Sequence, residues 1–312
     1  MLGRASKTLF HLVARSGTLK KLASRYGMRQ PSSFARRFIA GETIAEAIEA
    51  ARNVEARGMK ITLDLLGESV STLDAADAAT RAYLAVIDAI TRSGIERNLS
   101  VKLTQLGLDV DKASTVDNLR KILEVAGPAG FFVRIDMEDS AYTAVTLEIF
   151  ETLWRHSYRQ IGVVLQSALY RSEQDLQRIN ELGARVRLVK GAYMEPKSVA
   201  HQKKPDVDAA YARMMKSLIT DGHAPAIATH DPVMIDLARQ WAREHDVAAD
   251  RFEFQMLYGV RRDLQAMLVA AGYRVRVYIP FGHQWFPYFM RRLGERPANV
   301  MFVIRNILGE RG

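Results

Sequence analysis

The sequence predicts an α/β chain closed as a (β/α)8 barrel of the TIM type, with extra helices at its N-terminus. Three observations predict it. From Gly41 onward, apolar β-rich segments alternate with longer stretches of helical periodicity. Eight such segments occur, the number that closes a parallel barrel. Polar residues gather toward the ends of these segments, where a barrel of this kind carries its site.

The strand segments fall near 59–66, 98–106, 130–137, 161–167, 184–191, 225–230, 251–257 and 273–280. Helical stretches lie between them, among them Thr72–Ser93, Tyr142–His156 and Pro232–His245. Gly94, Gly127, Gly183, Gly222 and Gly272 stand where helical patterns stop, in keeping with turn chemistry. An open doubly wound sheet is the competing architecture. It finds no support, because no Gly-x-Gly-x-x-Gly turn follows any strand. The expected organisation is a basic helical arm over 1–58 and the barrel over 59–312.

The strand ends supply Asp64, Lys102, Asp136, Gln166, Arg187 with Lys190, Thr229 with His230, Gln255 and Tyr278. One buried charge can be structural, held by a partner. Eight strands in a row ending in polar groups point instead to a ligand site on the C-terminal rim. After the eighth strand, Tyr288, Arg291, Arg292 and Glu295 share one face at helical spacing. Paired guanidiniums suit a small carboxylate, which they grip bidentately. The bland alternative is a solvated face with an Arg291–Glu295 pair contributing tenths of a kcal/mol.

Composition narrows the chemistry. Apolar residues make up 48% of the 312, enough for a barrel and its helical cover. No apolar run approaches the roughly 20 residues a spanning helix needs. Cysteine is absent, which excludes disulfides, thiolate metal sites and cysteine nucleophiles. Redox chemistry would therefore need a bound cofactor. The formal charge of +9 is uneven: Arg4, Lys7, Arg15, Lys20, Lys21, Arg25, Arg29, Arg36 and Arg37 precede the first acid, and the remainder is balanced. That distribution argues against nucleic acid as partner. Within the arm, Leu19, Leu22, Ala23 and Tyr26 follow helical spacing, which suits an anionic membrane surface, a transit segment, or simple packing on the barrel.

Several chemistries fail on their motifs. There is no Gly-x-Ser-x-Gly elbow, no Walker loop, and no metal-binding spacing among the seven histidines. A Schiff-base lysine stays open, since Lys102 and Lys190 both lie at strand ends.

Seven short motifs in order resemble the proline dehydrogenase family, from about residue 34 to 305. They are Asp64-Leu65-Leu66-Gly67-Glu68, Ser100-Val101-Lys102-Leu103-Thr104, Arg134-Ile135-Asp136-Met137-Glu138 and Arg187-Leu188-Val189-Lys190-Gly191-Ala192-Tyr193. Ala228-Thr229-His230-Asp231, Phe254-Gln255-Met256-Leu257-Tyr258-Gly259 and Arg291-Arg292-Leu293-Gly294-Glu295-Arg296-Pro297 complete the set. The resemblance implies a distorted barrel with FAD at its mouth, oxidising L-proline to Δ1-pyrroline-5-carboxylate by hydride transfer. It implies FAD contacts from Met137, Gln166, Arg187, Lys190, Gly191, Ala192, Thr229 and His230. It places the proline carboxylate on Lys102, Arg291 and Arg292, with Tyr278, Leu257 and Tyr288 around the ring. Asp136 and Arg187 become the catalytic pair, and Glu68 with Arg291 a gate. A quinone acceptor, a cytoplasmic location with peripheral docking on the membrane face, and no bound metal complete the expectation. One departure is Ala168, where the family pattern leads one to expect a bulkier aromatic, so the wall there should be more open. A lysine aldolase, a folate-linked flavin reductase and a non-catalytic binding protein remain as other readings.

Overall fold

A computed structural model describes residues 34–295, with side chains as far as Met290. The arm residues Leu19, Leu22, Ala23 and Tyr26 lie outside the described residues. Eight strands form a closed parallel barrel in sequence order: β1 (Lys60–Leu65), β2 (Asn98–Val101), β3 (Phe132–Ile135), β4 (Ile161–Gln166), β5 (Arg185–Val189), β6 (Ala226–Ala228), β7 (Glu253–Leu257) and β8 (Arg274–Phe281). Helix α1 (Ile44–Glu55) precedes the barrel. Between strands lie α2 (Leu73–Ser93), α3 (Lys112–Ala126), α4 (Ser140–Arg155), α5 (Ser172–Glu181), α6 (Lys204–Asp221), α7 (Pro232–Glu244) and α8 (Arg262–Ala270), and α9 (Trp285–Glu295) follows β8.

Local sequence accounts for most helix starts. Thr43 caps α1 in a reciprocal capping box with Glu46. Thr72 caps α2, Asp111 caps α3, Asp139 caps α4, and Asp231 followed by Pro232 opens α7. Each cap accepts from a backbone N–H that the first turn would otherwise leave unpaired.

Most strands are shorter than the sequence suggests, and at two of them side chains account for the early stop. β2 stops at Val101 instead of running to 106, because Thr104 turns both its N–H and its hydroxyl toward the Glu138 carboxylate. A single 3-10 turn, Thr104–Leu106, follows. β6 stops at Ala228 because His230 takes a ladder donor with its side chain: the Leu257 N–H donates to His230 Nε2 at 2.9 Å.

Alternation along the strands sorts the two faces. Ile61, Leu63, Val133, Ile135, Val186 and Leu188 point outward and are fully buried under the helices. Each such side chain contributes about 1.5–3 kcal/mol by leaving water. The hydrophobic core is therefore the shell between barrel and helices. The barrel interior is polar instead: Thr62, Asp64, Asn98, Ser100, Arg134, Gln166, Arg187, Gln255 and Arg276 are all buried there. The sequence predicts polar groups gathered toward the strand ends, yet Thr62, Asn98, Arg134, Glu253 and Arg276 lie deeper. Their apolar neighbours, which made the strands look apolar at the start, belong to the outer face.

The barrel is distorted at its seam. α1 packs against β1 and β8, the position the eighth crossover helix normally takes. α9 instead buries Trp285, Phe286, Tyr288, Phe289 and Met290 against Ala35, Phe38, Ile39 and Leu66. A second apolar cluster thus sits by the end of β1, apart from the main shell.

Gly259 anchors this arrangement. Its φ of +73° is in the left-handed region, and a Cβ there would lie 1.6 Å from the Arg37 carbonyl oxygen. Gly259→Ala is expected to lower stability by about 2 kcal/mol or more, and to expose residues 34–40 to protease before the barrel opens. Urea unfolding together with limited proteolysis checks this; an unchanged midpoint would mean that the close approach has no energetic weight.

Candidate active site

The barrel mouth is built around one carboxylate. Asp136, the first residue past β3, accepts from Arg187 Nη1 on β5 at 2.7 Å and from Ser100 Oγ on β2 at 3.1 Å, both through Oδ1. Its Oδ2 accepts from the Tyr278 hydroxyl on β8 at 2.7 Å. Lys102, one residue past β2, donates to Asp64 Oδ1 at 2.8 Å, with its Nζ 3.5 Å from Asp136 Oδ2. Two cations and two carboxylates thus alternate across the mouth, almost entirely out of water.

Burial and charge set the ionisation here. Burial alone would push Lys102 down, but Asp64 and Asp136 outweigh it and hold the amine well above the ordinary lysine range. Burial would push Asp136 up, but Arg187 and Lys102 outweigh it and hold it below the ordinary range. Burial, and then the charges of Asp136 and Asp64, push the Tyr278 phenol far up, so it stays a donor. A Schiff-base lysine has to lose its proton before it attacks, and this cluster does the opposite to Lys102. The aldolase reading therefore loses its nucleophile at this position.

A second group lines the β4 to β6 side. Gln166 ends β4 and donates through Nε2 to the Glu138 carbonyl at 2.7 Å, next to buried Met137. Lys190 Nζ bridges Asp208 at 2.5 Å and Asp231 at 2.7 Å. Gly191 and Ala192 follow; Gly191 has φ +111°, and a Cβ on it would meet Gln166 Oε1 at 3.0 Å and Ala168 Cβ at 3.3 Å. Thr229 accepts from the Asp231 N–H at 3.1 Å. His230 accepts through Nε2, which leaves Nδ1 as the protonated nitrogen and fixes the ring as a donor.

Of the remaining expected site residues, Leu257 ends β7 and Tyr288 is buried on α9. The α9 backbone carries Arg291 and Arg292 in a helix, but their side chains lie outside the described residues, and so does the Glu68–Arg291 pairing. Glu68 itself is half-buried in the loop after β1.

Four site residues received little or no role from sequence. In the sequence Asp64 and Gln255 stand as strand-end groups and motif members without an assigned role, and Ser100 and Glu138 only as parts of motifs. Alternation could have found Ser100, which shares a strand face with Lys102 two residues on. Glu138 gave no such signal, because its partners Thr104 and Gln166 come from the turn after β2 and from the end of β4.

A family model described as proline dehydrogenase matches residues 47–305. The chain belongs to the proline dehydrogenase family. Proline dehydrogenase 2 of Bacillus subtilis (strain 168) is 40% identical over 302 residues, covering 97% of this chain and 98% of its own length. The proline dehydrogenase of Deinococcus radiodurans is 41% identical over 280 residues, 88% of this chain and 90% of its own. Among solved structures, proline utilization A (PutA) from Bdellovibrio bacteriovorus, inactivated by N-propargylglycine, superposes with a TM-score of 0.77 at 25% identity. That match covers 92% of this chain but only 38% of the longer PutA chain. The matched range spans all seven motifs read from the sequence, and the PutA likeness agrees with the barrel fold.

Glu138 offers a test of the site's electrostatics. Burial raises its carboxyl to about 7, against the hydrogen bonds from Thr104 that favour the anion. Below about pH 4.5 both folded and unfolded chains hold this proton. As pH rises to about 7, only the unfolded chain releases it, so stability falls across that window and the loss persists above it. Glu138→Gln cannot ionise. The stability difference, wild type minus variant, should therefore drop by up to roughly 3 kcal/mol between pH 4.5 and 7. Denaturant melts across this range decide; a flat difference would refute the raised value.

Proposed function

We propose that this chain, an oxidoreductase of the proline dehydrogenase family, oxidises L-proline to Δ1-pyrroline-5-carboxylate with FAD as its cofactor. The observation that carries the reading is the pair of cations, Lys102 and Arg187, fixed by Asp136 and Asp64 at the mouth of a polar-lined barrel. A carboxylate substrate meets a positive charge that cannot be lost by deprotonation near neutral pH.

The residues present fit FAD. Gly191 offers bare backbone where a side chain would crowd Gln166, and Lys190 and His230 are held as donors by neighbouring groups. Met137, Gln166, Arg187, Lys190, Gly191, Ala192, Thr229 and His230 would hold it. FAD, when bound, would supply the two-electron oxidant, with N5 as its hydride-accepting atom. Arg187, fixed by Asp136, would favour negative charge on the reduced cofactor.

The chain's own residues do the rest. Lys102, with Arg291 and Arg292 on α9, grips the proline carboxylate and leaves the carbon beside nitrogen as the reacting end. The nitrogen lone pair of the neutral amine becomes the new C=N bond as hydride leaves that carbon, and the N–H proton is released. No strong base is then needed. Asp136 holds Lys102 and Arg187 in place, while Tyr278, Leu257 and Tyr288 wall the ring, so a ring hydroxyl beside Tyr278 is disfavoured. Closure through Glu68 and Arg291 would keep water out. We place a quinone as onward acceptor, with the cytoplasmic membrane face as its meeting point and the basic arm as the docking segment. Among the described residues no helix is long and apolar enough to cross a membrane.

An anaerobic absorption spectrum tests this directly. The purified protein is expected to be yellow and to bleach with L-proline but not D-proline. A colourless protein that takes up no FAD, or a flavin that stays oxidised, would overturn the reading. Lys102→Met should lower kcat/KM for proline by roughly a hundredfold while flavin content is retained, since it removes a charge-assisted contact and disturbs placement. Steady-state kinetics with a soluble dye acceptor read that loss.

A further inference from the structure

Below the mouth, the barrel interior holds a continuous chain of polar side chains that ends on Arg187. Arg187 Nε donates to Gln255 Oε1 at 2.5 Å. Gln255 Nε2 donates to Glu253 Oε1 at 2.5 Å. Glu253 in turn accepts from Arg276 Nε at 2.8 Å. Arg276 is tied down by Glu96 at 2.9 Å and by the Ile61 carbonyl at 2.5 Å. The register explains the stacking. Glu253 and Gln255 lie two apart on β7, so they share the inner face, and Gln255 pairs with Arg276 across to β8.

Burial makes this chain directional. Gln255 is 4% exposed, so both ends of its amide need partners. With Oε1 on a guanidinium and Nε2 on a carboxylate, the amide has one satisfactory orientation; reversing it would set donor against donor and acceptor against acceptor. The Glu253 carboxylate therefore determines which end faces Arg187. Burial would push Glu253 up, but Arg276 holds it below the ordinary carboxylate range, so it remains an acceptor.

At its other end, Arg187 is bonded to Asp136 through Nη1 and to Ser100 through Nη2. Those bonds fix the outer edge of the guanidinium. The Nε edge is fixed by Gln255. Without it, the planar group could pivot about the Asp136 contact and leave its Nε–H unpaired in a dry interior. An apolar filling of the same volume would stabilise a barrel as well or better than a buried ionic column, so stability alone does not account for it.

We propose that Gln255, oriented by the Glu253–Arg276 pair, is a positioning residue for Arg187 and sets the angle at which that guanidinium faces the reacting centre. The effect on catalysis rests on the proline oxidation proposed above; the effect on Arg187 geometry does not.

The test uses the FAD-loaded, full-length protein in four forms: wild type, Gln255→Met, Arg187→Lys and the double variant. Methionine keeps the length and volume of glutamine, and it leaves the Glu253–Arg276 pair in place. Gln255→Met should lower kcat/KM for proline by roughly tenfold to a hundredfold. In the double variant the loss should be non-additive, within about twofold of Arg187→Lys alone. Additive losses, or a Gln255→Met enzyme within about twofold of wild type, would overturn the proposal.

A second measurement needs no proline. In protein carrying 15N-arginine, the Nε–H signal that disappears in Arg187→Lys is that of Arg187. It should exchange with solvent slowly in wild type and roughly tenfold faster or more in Gln255→Met. An unchanged rate would overturn the positioning role. If wild type fails to oxidise proline, the activity reading falls, and the exchange rates still decide the geometry. Should Gln255→Met not fold, Glu253→Gln serves: it removes the charge that orients Gln255 and should speed the same exchange, and no change there overturns the proposal.

Discussion

Asp136 holds the mouth of this barrel together. Its carboxylate collects donors from β2, β5 and β8, and it stands within ion-pair distance of Lys102. Every one of those groups is buried or nearly so, in surroundings where an unpaired charge costs several kcal/mol. Removing any member would strand the others, so geometry and ionisation are determined together. The cation at Lys102, the phenol at Tyr278 and the placement of Arg187 all follow from one shared counter-ion.

The same reasoning extends inward. In a barrel of this kind branched apolar side chains ordinarily fill the interior. Here the apolar residues are displaced to the outer shell, and the inside is a column of paired polar groups from Arg276 to Arg187. Such a column gives little net stability. Its value is rigidity: Arg276 Nε, Gln255 Nε2 and Arg187 Nε each donate along the column, and few alternative arrangements satisfy all three. The helical shell supplies the stability that the interior does not.

The distorted seam serves the site in a related way. With α1 occupying the place beside β1 and β8, α9 packs by the mouth through Trp285, Phe286 and Tyr288. A helix placed there can bring residues to the rim that an outer helix could not. The approach of Arg37 to Gly259 ties the segment before α1 to the turn after β7. Residues remote in sequence thereby meet at one end of the barrel.

Much of this was legible in the sequence. Alternating strand and helix periodicity reports which face of each element is apolar, and that property is local. Eight strands, their order and most of the rim residues followed from it. The family resemblance then named the chemistry that composition could only restrict. What the sequence did not carry was partnership. Glu138 ends β2 early through Thr104, His230 takes the Leu257 N–H, and Gln255 joins Glu253 to Arg187. Thr104 and Glu138, His230 and Leu257, and Arg187 and Gln255 are each well apart in the chain, and nothing in local periodicity encodes their contacts. Residue type and strand alternation determined which groups face inward; only closure of the barrel decided which of them touch, because hydrogen bonds and ion pairs depend on distances that closure alone sets.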